Sequence, residues 1–267
     1  MDVVIAVLNR PEGVQALLEA GARLLEIGGG GRLTALAVRM PPLSTILPSE
    51  EVLTAGREAA IRAEQESWAG SLRGIVQQWA PTAQSRGIDT GWVDVEGDAA
   101  SVVAEHGRRA DAIVVSRPAS HEAERMRDAV HAALFDTGRP VLVVPPGWNP
   151  RFGKTVAIAW KDDARAVKAV HAALPILRHA GRVVVLCARR AAEMPAILAE
   201  HGIGAELVSV PDGDAPVGEQ LLQAAGAAGA DLLVMGAFAH GEWRERVFGG
   251  VTRTVLGKAD LPLLLRH

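Results

Sequence analysis

Three glycines and a threonine near the end of the chain have the spacing of a phosphate-binding loop. Gly236 follows a short apolar run that is typical of a strand buried on both faces. Gly249 and Gly250 then precede an amphipathic segment that contains Thr252. Glycine lets backbone N–H groups approach a phosphate closely, and the start of a helix attracts negative charge. The pattern therefore predicts phosphate binding at residues 236–252, and its alternative is a glycine pair needed only for a turn and packing.

The elements that would position this loop occur twice along the chain. Residues 109–115 match residues 229–235, and residues 138–144 match residues 260–266. In each copy, short apolar runs alternate with segments whose apolar residues recur at helical spacing, which is the pattern of strand–helix–strand units in a parallel sheet. The repeat predicts two α/β domains in tandem, 1–146 and 152–267, joined by a proline-rich linker.

Each copy is predicted to form a five-stranded, mainly parallel sheet with helices on both faces. Residues 50–84 of the first copy are predicted to form an inserted helical segment, either one long helix or a broken pair. The predicted strands lie at 2–8, 33–38, 91–95, 110–116 and 141–144 in the first copy, and at 155–160, 182–187, 205–210, 231–235 and 261–265 in the second.

The glycine-bearing stretch resembles the C-terminal signature of universal stress proteins, and the tandem plan resembles the double-domain members of that family. The nucleotide-binding members share a pattern of Gly, two residues, Gly, nine residues, Gly, and then Ser or Thr. Gly236 and Gly249 hold the first and third glycine positions, whereas Ala239 and Gly250 stand where the second glycine and the Ser or Thr belong. Two residues beyond these replaced positions lie candidate substitutes, Gly241 and Thr252.

This resemblance implies an adenine-nucleotide-α-hydrolase-like, Rossmann-like fold that binds ATP or ADP with Mg²⁺ in the second domain. Family members that bind ATP carry an Asp directly after the first strand, but Lys161 holds that place here and two aspartates follow. Either a neighbouring carboxylate takes over the contact or the contact is lost. The residues implied as the site are Trp160, Lys161, Asp162, Gly236, Ala237, Ala239, Gly249, Gly250, Val251 and Thr252.

The equivalent loops of the first copy lack these features. Asn9, Arg10 and Pro11 follow its first strand, so no carboxylate is present and the proline removes a backbone donor. The loop after its fourth strand, residues 116–122, contains no glycine. We expect the first copy to bind no nucleotide.

Composition excludes several other classes of function. The 267 residues are 49% hydrophobic with a net charge of −3, which favours neither nucleic acid nor an anionic membrane surface as a partner. The single cysteine, Cys187, lies in an apolar run and is expected to be a buried thiol. With no targeting segment and no long apolar stretch, a cytoplasmic location is expected.

The sequence contains no zinc-protease, nucleophile-elbow or Walker motif, so no catalytic residue or metal site is predicted. We expect a stress-response regulatory module that responds to nucleotide, acts on an unidentified protein partner and is not an enzyme. The alternative is a structural or interaction module that works through pairing of the last strands, either as an intrachain pseudo-dimer or as a homodimer.

Overall fold

A computed structural model of the chain describes residues 1–45, 54–118, 124–148, 151–188, 193–210, 213–237 and 250–267. The described residues form two compact units. The first comprises those of Met1–Ser116 and Glu122–Thr137, and the second those of Arg117–His121 and Gly138–His267. The strand at 141–144 is thus grouped with the second unit, while the domain boundaries 1–146 and 152–267 stay a prediction.

The first unit is a parallel sheet whose strands lie in the order β3-β2-β1-β4. Its strands are β1 (Val3–Leu8), β2 (Gly31–Arg39), β3 (Ile88–Glu96) and β4 (Ala112–Ser116). Its helices are α1 (Pro11–Gly28), α2 (Ala55–Ser85), α3 (Ala99–Gly107) and α4 (Glu124–Phe135), with a short 3-10 helix at Pro42–Thr45.

The inserted segment of the first unit is one continuous helix from residue 55 to residue 85, and not a broken pair. The hydroxyl of Thr54 accepts a hydrogen bond from the backbone N–H of Arg57 and caps this helix. Pro81 lies inside the helix without ending it. The buried positions Leu72, Val76 and Trp79 hold the helix against the unit, since they recur on one face.

The second unit has strands in the order β5-β10-β9-β6-β7-β8. All its neighbouring strands pair in parallel except β10 and β5, which pair antiparallel. Its strands are β5 (Val141–Val144), β6 (Thr155–Trp160), β7 (Arg182–Cys187), β8 (Glu206–Ser209), β9 (Leu232–Gly236) and β10 (Leu263–Arg266). Its helices are α5 (Ala164–Leu177), α6 (Ala196–Glu200), α7 (Val217–Ala227) and α8 (Gly250–Lys258). The mainly parallel α/β fold predicted from the sequence is therefore confirmed.

Two aspartates of the sequence repeat have the same role in their own units. Asp111 Oδ2 accepts hydrogen bonds from the backbone N–H groups of Asp2 and Val3, at 2.6 and 3.0 Å. Asp231 accepts three such bonds from residues 153–155, at 2.8, 3.0 and 3.3 Å. In each case a carboxylate just before the fourth strand of the sequence repeat fixes the start of that repeat's first strand, so the repeat preserves a structural contact.

None of the described helices is long and apolar enough to cross a membrane.

Candidate functional site

The candidate site lies where the strand order of the second unit reverses. From β6 the chain continues to β7 and β8 on one side, whereas β9 and β10 lie on the other side. β6 and β9 are parallel neighbours, with Ala159 opposite Met235. The loops that leave β6 after Trp160 and β9 after Gly236 therefore start side by side, at the kind of edge where open α/β sheets bind ligands.

The loop after β6 presents a lysine and an aspartate to solvent. Trp160 is half-buried at the end of the strand, and Lys161 and Asp162 are both exposed. Lys161 Nζ lies 4.0 Å from Asp163 Oδ2, which is the limit of an ion pair and contributes little at the surface. No described residue forms a hydrogen bond or ion pair with the side chain of Asp162, so this carboxylate can accept one from a ligand.

Asp163 serves a different purpose, because its carboxylate caps α5. Its Oδ1 accepts hydrogen bonds from the backbone N–H groups of Arg165 and Ala166, at 3.0 and 3.1 Å, and its Oδ2 accepts one from Arg165 Nη2 at 3.0 Å. Burial would raise the pKa of Asp163, but these hydrogen bonds outweigh it and hold the pKa below its ordinary value. Of the two aspartates that follow Lys161, the structure therefore identifies Asp163 as the cap of α5.

Gly236 is required by packing within the unit. A Cβ at this position would lie 2.8 Å from the carbonyl carbon of Arg165 and 2.9 Å from the nitrogen of Ala166. These are backbone atoms of α5, so a side chain at 236 would have to displace the start of that helix. The first glycine of the signature therefore brings β9 and α5 into direct backbone contact.

Ala237 is completely buried, and its backbone groups are already bonded. Its N–H donates a 2.8 Å hydrogen bond to the carbonyl of Arg266. Its carbonyl lies 3.1 Å from Nδ1 of His267, which must be the donor because a carbonyl oxygen only accepts. The N–H of Ala237, a residue of the predicted phosphate-binding loop, is therefore already used in a hydrogen bond to the backbone of the second unit.

The helix after the loop begins at Gly250, which is exposed and has open space at its Cβ position among the described residues. Val251 is half-buried, and its carbonyl would lie 2.8 Å from a Cβ on Gly218 of α7. Thr252 is only 5% exposed and belongs to the packed face of α8. Its hydroxyl, expected from the sequence to be available to a phosphate or to Mg²⁺, is therefore turned away from solvent.

Residues 187–267 match the sequence profile of the Universal stress protein family. That segment belongs to the universal stress proteins. No curated protein matches the chain. Among solved structures, a universal stress protein from Archaeoglobus fulgidus DSM 4304 is similar with a TM-score of 0.72 and 12% identity, over 99% of this chain and 96% of that one. A functionally unknown protein from Pseudomonas aeruginosa PAO1 is similar with a TM-score of 0.57 and 12% identity, over 100% and 92%. At such identities the likeness shows the fold alone, an α/β fold that this chain shares over nearly its whole length with the Archaeoglobus fulgidus structure.

Part of the universal stress protein signature falls outside the described residues. These undescribed positions include Ala239 and Gly249 of the predicted site and the candidate substitute Gly241. The described residues bring Trp160, Lys161 and Asp162 to the same edge as Gly236 and Ala237, because they follow paired strands. The prediction that Ala239 and Gly249 contact a ligand stays a prediction.

The corresponding edge of the first unit is built differently. β1 pairs with β4, with Ala6 opposite Val114. The carbonyl of Asn9, the residue after β1, accepts a 3.1 Å hydrogen bond from Trp68 Nε1 of α2. The segment after β1 is thus held by an indole contact from α2, which periodicity in the sequence did not reveal.

The metal-ligating side chains and the single cysteine of the described residues lie as follows. Among the described residues, no group of three or more His, Cys, Asp or Glu side chains is placed to hold a metal ion. Cys187 is buried, as its apolar surroundings predict, and burial raises the pKa of its thiol. A buried thiol with a raised pKa is a poor nucleophile.

Proposed function

We propose that the second unit binds ATP or ADP, with Mg²⁺, at the edge formed by β6 and β9, and that the chain is a stress-response module regulated by this nucleotide. The pairing of β6 with β9 is the observation that carries the proposal. It brings the starts of the segments after Trp160 and Gly236 to one edge, and these are the two segments that the resemblance to nucleotide-binding universal stress proteins implies as the site.

In this proposal Asp162 accepts a hydrogen bond from a ribose hydroxyl. Asp163 is committed to the cap of α5, whereas Asp162 is exposed and follows the strand by only two positions. Lys161 is exposed beside it and supplies a positive charge for the phosphates. The backbone N–H groups at the start of α8, at the exposed Gly250 and the half-buried Val251, are the described groups best suited to phosphate oxygens.

In this proposal, the contact at Gly236 passes the effect of nucleotide binding to α5. A ligand held by the residues that follow Gly236 acts on the chain at the point where β9 touches the backbone of Arg165 and Ala166. Because these atoms are in van der Waals contact, a shift of β9 at this point must move the start of α5 or be resisted by it. A surface near α5 is therefore where a protein partner would detect the nucleotide.

Catalysis has no part in the proposed role. General acid–base chemistry needs a side chain with a pKa tuned for proton transfer at the bound substrate. At the described edge the carboxylate with a shifted pKa is Asp163, which is shifted downward by its cap hydrogen bonds and is a weak base. We expect purified protein to release phosphate from ATP no faster than buffer does, and we place the protein in the cytoplasm.

A second candidate function is a pairing module that needs no nucleotide. The antiparallel pairing of β10 with β5 favours it, since Leu263, Leu264 and Leu265 lie opposite Val143, Leu142 and Val141. These are the last strands of the two sequence repeats. This pairing bonds the backbone groups of both strands, so neither β5 nor β10 is left as an exposed apolar edge strand on this side, and exposed edge strands promote association.

The experiment that decides between the two is the search for bound nucleotide. The purified chain is denatured, the released small molecules are identified by mass spectrometry, and the apo protein is titrated with Mg-ATP by calorimetry. Released adenine nucleotide, or micromolar binding that Gly249→Asp abolishes, supports the nucleotide module. Gly204→Asp is the matched control, because Gly204 is exposed with open space around its Cβ position. Clean protein with no heat at millimolar ATP contradicts the proposal and leaves the pairing module.

A further inference from the structure

The solvent side of α5 carries basic side chains and no carboxylate. Lys168 and His171 are exposed on the helix, and Arg178 and His179, which directly follow it, are exposed as well. At 3.6 residues per turn these four positions fall within about 100° of one another around the helix axis. No Asp or Glu occurs among residues 164–177. We call these four residues the basic strip.

The lysine and the arginine of the basic strip meet no described carboxylate. Within the described ranges Lys168 forms no ion pair, and the guanidinium of Arg178 contacts His201, whose Nδ1 accepts a hydrogen bond from Nη2 at 3.4 Å. By contrast, Arg182 just beyond the strip forms an ion pair with Glu206, at 2.7 Å between Nη2 and Oε2. Lys168 and Arg178 are therefore available to carboxylates of another molecule.

The stability of α5 accounts for only part of the basic strip. Positive charge at the C-terminal end of a helix is favourable, which explains Arg178 and His179. Nδ1 of His179 also donates to the carbonyl of Pro175 at 2.8 Å. Lys168 and His171 lie in the middle of α5, whereas this effect is limited to the last turn. Their place on the same side extends the basic surface along the helix for about 16 Å.

We infer that the basic strip is a docking surface for an acidic segment of another protein, in which carboxylates recur every three or four residues. Lys168 and Arg178 supply charge to such carboxylates, and the exposed imidazole of His171 supplies a hydrogen bond between them. The exposed Ala164 and the half-buried Pro175 on this side have short side chains, so a partner backbone can approach closely. Charge complementarity is the observation that selects this partner.

Other polyanions fit the basic strip less well. Proteins that bind nucleic acid through its backbone neutralise roughly 6–10 phosphates. The strip holds one lysine and one arginine, in a chain whose net charge is −3. Helices that bind an anionic membrane bury large apolar side chains in it. Among the exposed residues of α5 none is large and apolar.

This surface gives the proposed regulatory module a class of partner. The start of α5 is the segment that touches Gly236, so occupancy of the nucleotide site and of the basic strip would influence each other through one helix. That coupling rests on the proposed function, whereas docking of the acidic segment does not.

The test is fluorescence anisotropy of a labelled peptide titrated with the full-length chain at low salt. The peptide is an alanine-based helix with glutamate at every fourth position, and its matched control has glutamine at those positions. We expect the glutamate peptide to bind with an affinity that falls as salt is added, and the glutamine peptide not to bind. No binding of the glutamate peptide, or equal binding of both peptides, would overturn the inference.

Charge reversal locates the binding. Lys168→Glu and Arg178→Glu should each weaken binding of the glutamate peptide about fivefold, since each replaces an exposed ion pair by repulsion. Arg73→Glu is the matched control, because Arg73 is an exposed arginine of α2 in the first unit and the change in net charge is the same. If thermal unfolding shows that a reversed variant does not fold, Lys168→Gln and Arg178→Gln should weaken binding in the same direction. Equal affinities of the Lys168, Arg178 and Arg73 variants would contradict the basic strip.

Two further probes distinguish an acidic protein from other anions. Phosphatidylserine vesicles and a single-stranded oligonucleotide should each bind more weakly than the glutamate peptide. The reverse order would make the basic strip a site for phosphates and would overturn its assignment to protein carboxylates.

Titration with Mg-ATP separates this inference from the proposed nucleotide module. A chain that binds the glutamate peptide but gives no heat with Mg-ATP contradicts the nucleotide module and supports the basic strip. A chain that binds Mg-ATP but not the glutamate peptide, with or without the nucleotide, contradicts the basic strip alone.

Discussion

Asp231 Oδ1 accepts a 2.8 Å hydrogen bond from the backbone N–H of Gly153, which ties the segment before β9 to the segment before β6. Two further N–H groups, of Lys154 and Thr155, donate to the same carboxylate. One side chain thus fixes the starts of the two strands whose other ends form the candidate site. The same contact occurs at Asp111 in the first unit, so the repeat evident in the sequence has a physical cause.

Replacing Asp231 should destabilise the second unit. Asp231→Ala removes the acceptor of three backbone N–H groups, and we expect a loss of about 1–3 kcal/mol in the free energy of unfolding. Urea denaturation followed by tryptophan fluorescence measures the change. Asp260→Ala, at an exposed position, is the control and should stay close to the native value. Equal stability of the two variants would show that the carboxylate contributes nothing.

A methyl group at position 236 should be costly. Gly236→Ala places a Cβ within 2.9 Å of backbone atoms of α5, and overpacking of this kind costs about 1–3 kcal/mol. Gly226→Ala is the control, because Gly226 is helical with open space around it, and it should be neutral or stabilising by up to about 1 kcal/mol. Thermal unfolding of both proteins checks the prediction, which fails if Gly236→Ala is as stable as Gly226→Ala.

The two aspartates after β6 should affect different properties, Asp163 the stability of the fold and Asp162 the binding of Mg-ATP. Asp163→Ala loses the cap of α5 and should lower the free energy of unfolding by about 0.5–2 kcal/mol. Asp162→Ala should leave stability unchanged and weaken Mg-ATP binding. Calorimetry and urea denaturation on the same two proteins measure both effects, and an Asp162→Ala variant that binds ATP normally would remove Asp162 from the proposed site.

The cap of α5 should also give a pH dependence of known sign. Because the pKa of Asp163 is lower in the folded protein than in the unfolded chain, its contribution to stability is complete above the unfolded pKa of about 4. That contribution is lost as the pH falls through the folded pKa. The difference in unfolding free energy between the native chain and Asp163→Asn should therefore shrink between about pH 5 and pH 2, and a difference that grows on acidification would be contrary to this account.

Restoring the hydroxyl of the family signature should strengthen nucleotide binding. Gly250→Ser supplies the missing Ser at a helix start where a Cβ meets no described atom. A hydroxyl hydrogen bond to a charged phosphate should raise the affinity for Mg-ATP by about tenfold. Gly257→Ser, in the same helix with the same open space, is the control and should bind like the native chain. An unchanged affinity in Gly250→Ser would indicate that phosphates do not reach the start of α8.

Local patterns in the sequence predict most of the helices and strands that the structure describes. The apolar runs predict β6 and β7 at the bounds that the structure has, because buried strands of a parallel sheet need continuous apolar residues. Where polar residues alternate, the prediction is shorter than the strand. The sequence predicts residues 91–95, whereas β3 spans Ile88–Glu96 and pairs with β2 over that whole length. Backbone hydrogen bonds to a neighbour extend a strand beyond its apolar part, and the neighbour is not visible in the local sequence.

The sequence by itself determined the family resemblance, the α/β plan, the repeat and the glycine at 236, since each depends on residue type and spacing along the chain. Only the tertiary structure decided that Gly236 faces the backbone of α5, that Asp163 and not Asp162 caps that helix, that Thr252 is buried, and that β10 pairs with β5. Each of these depends on which distant groups meet in space. Contacts between residues far apart in sequence have no signature in local periodicity, and they determine which polar groups are already bonded and which remain for a ligand.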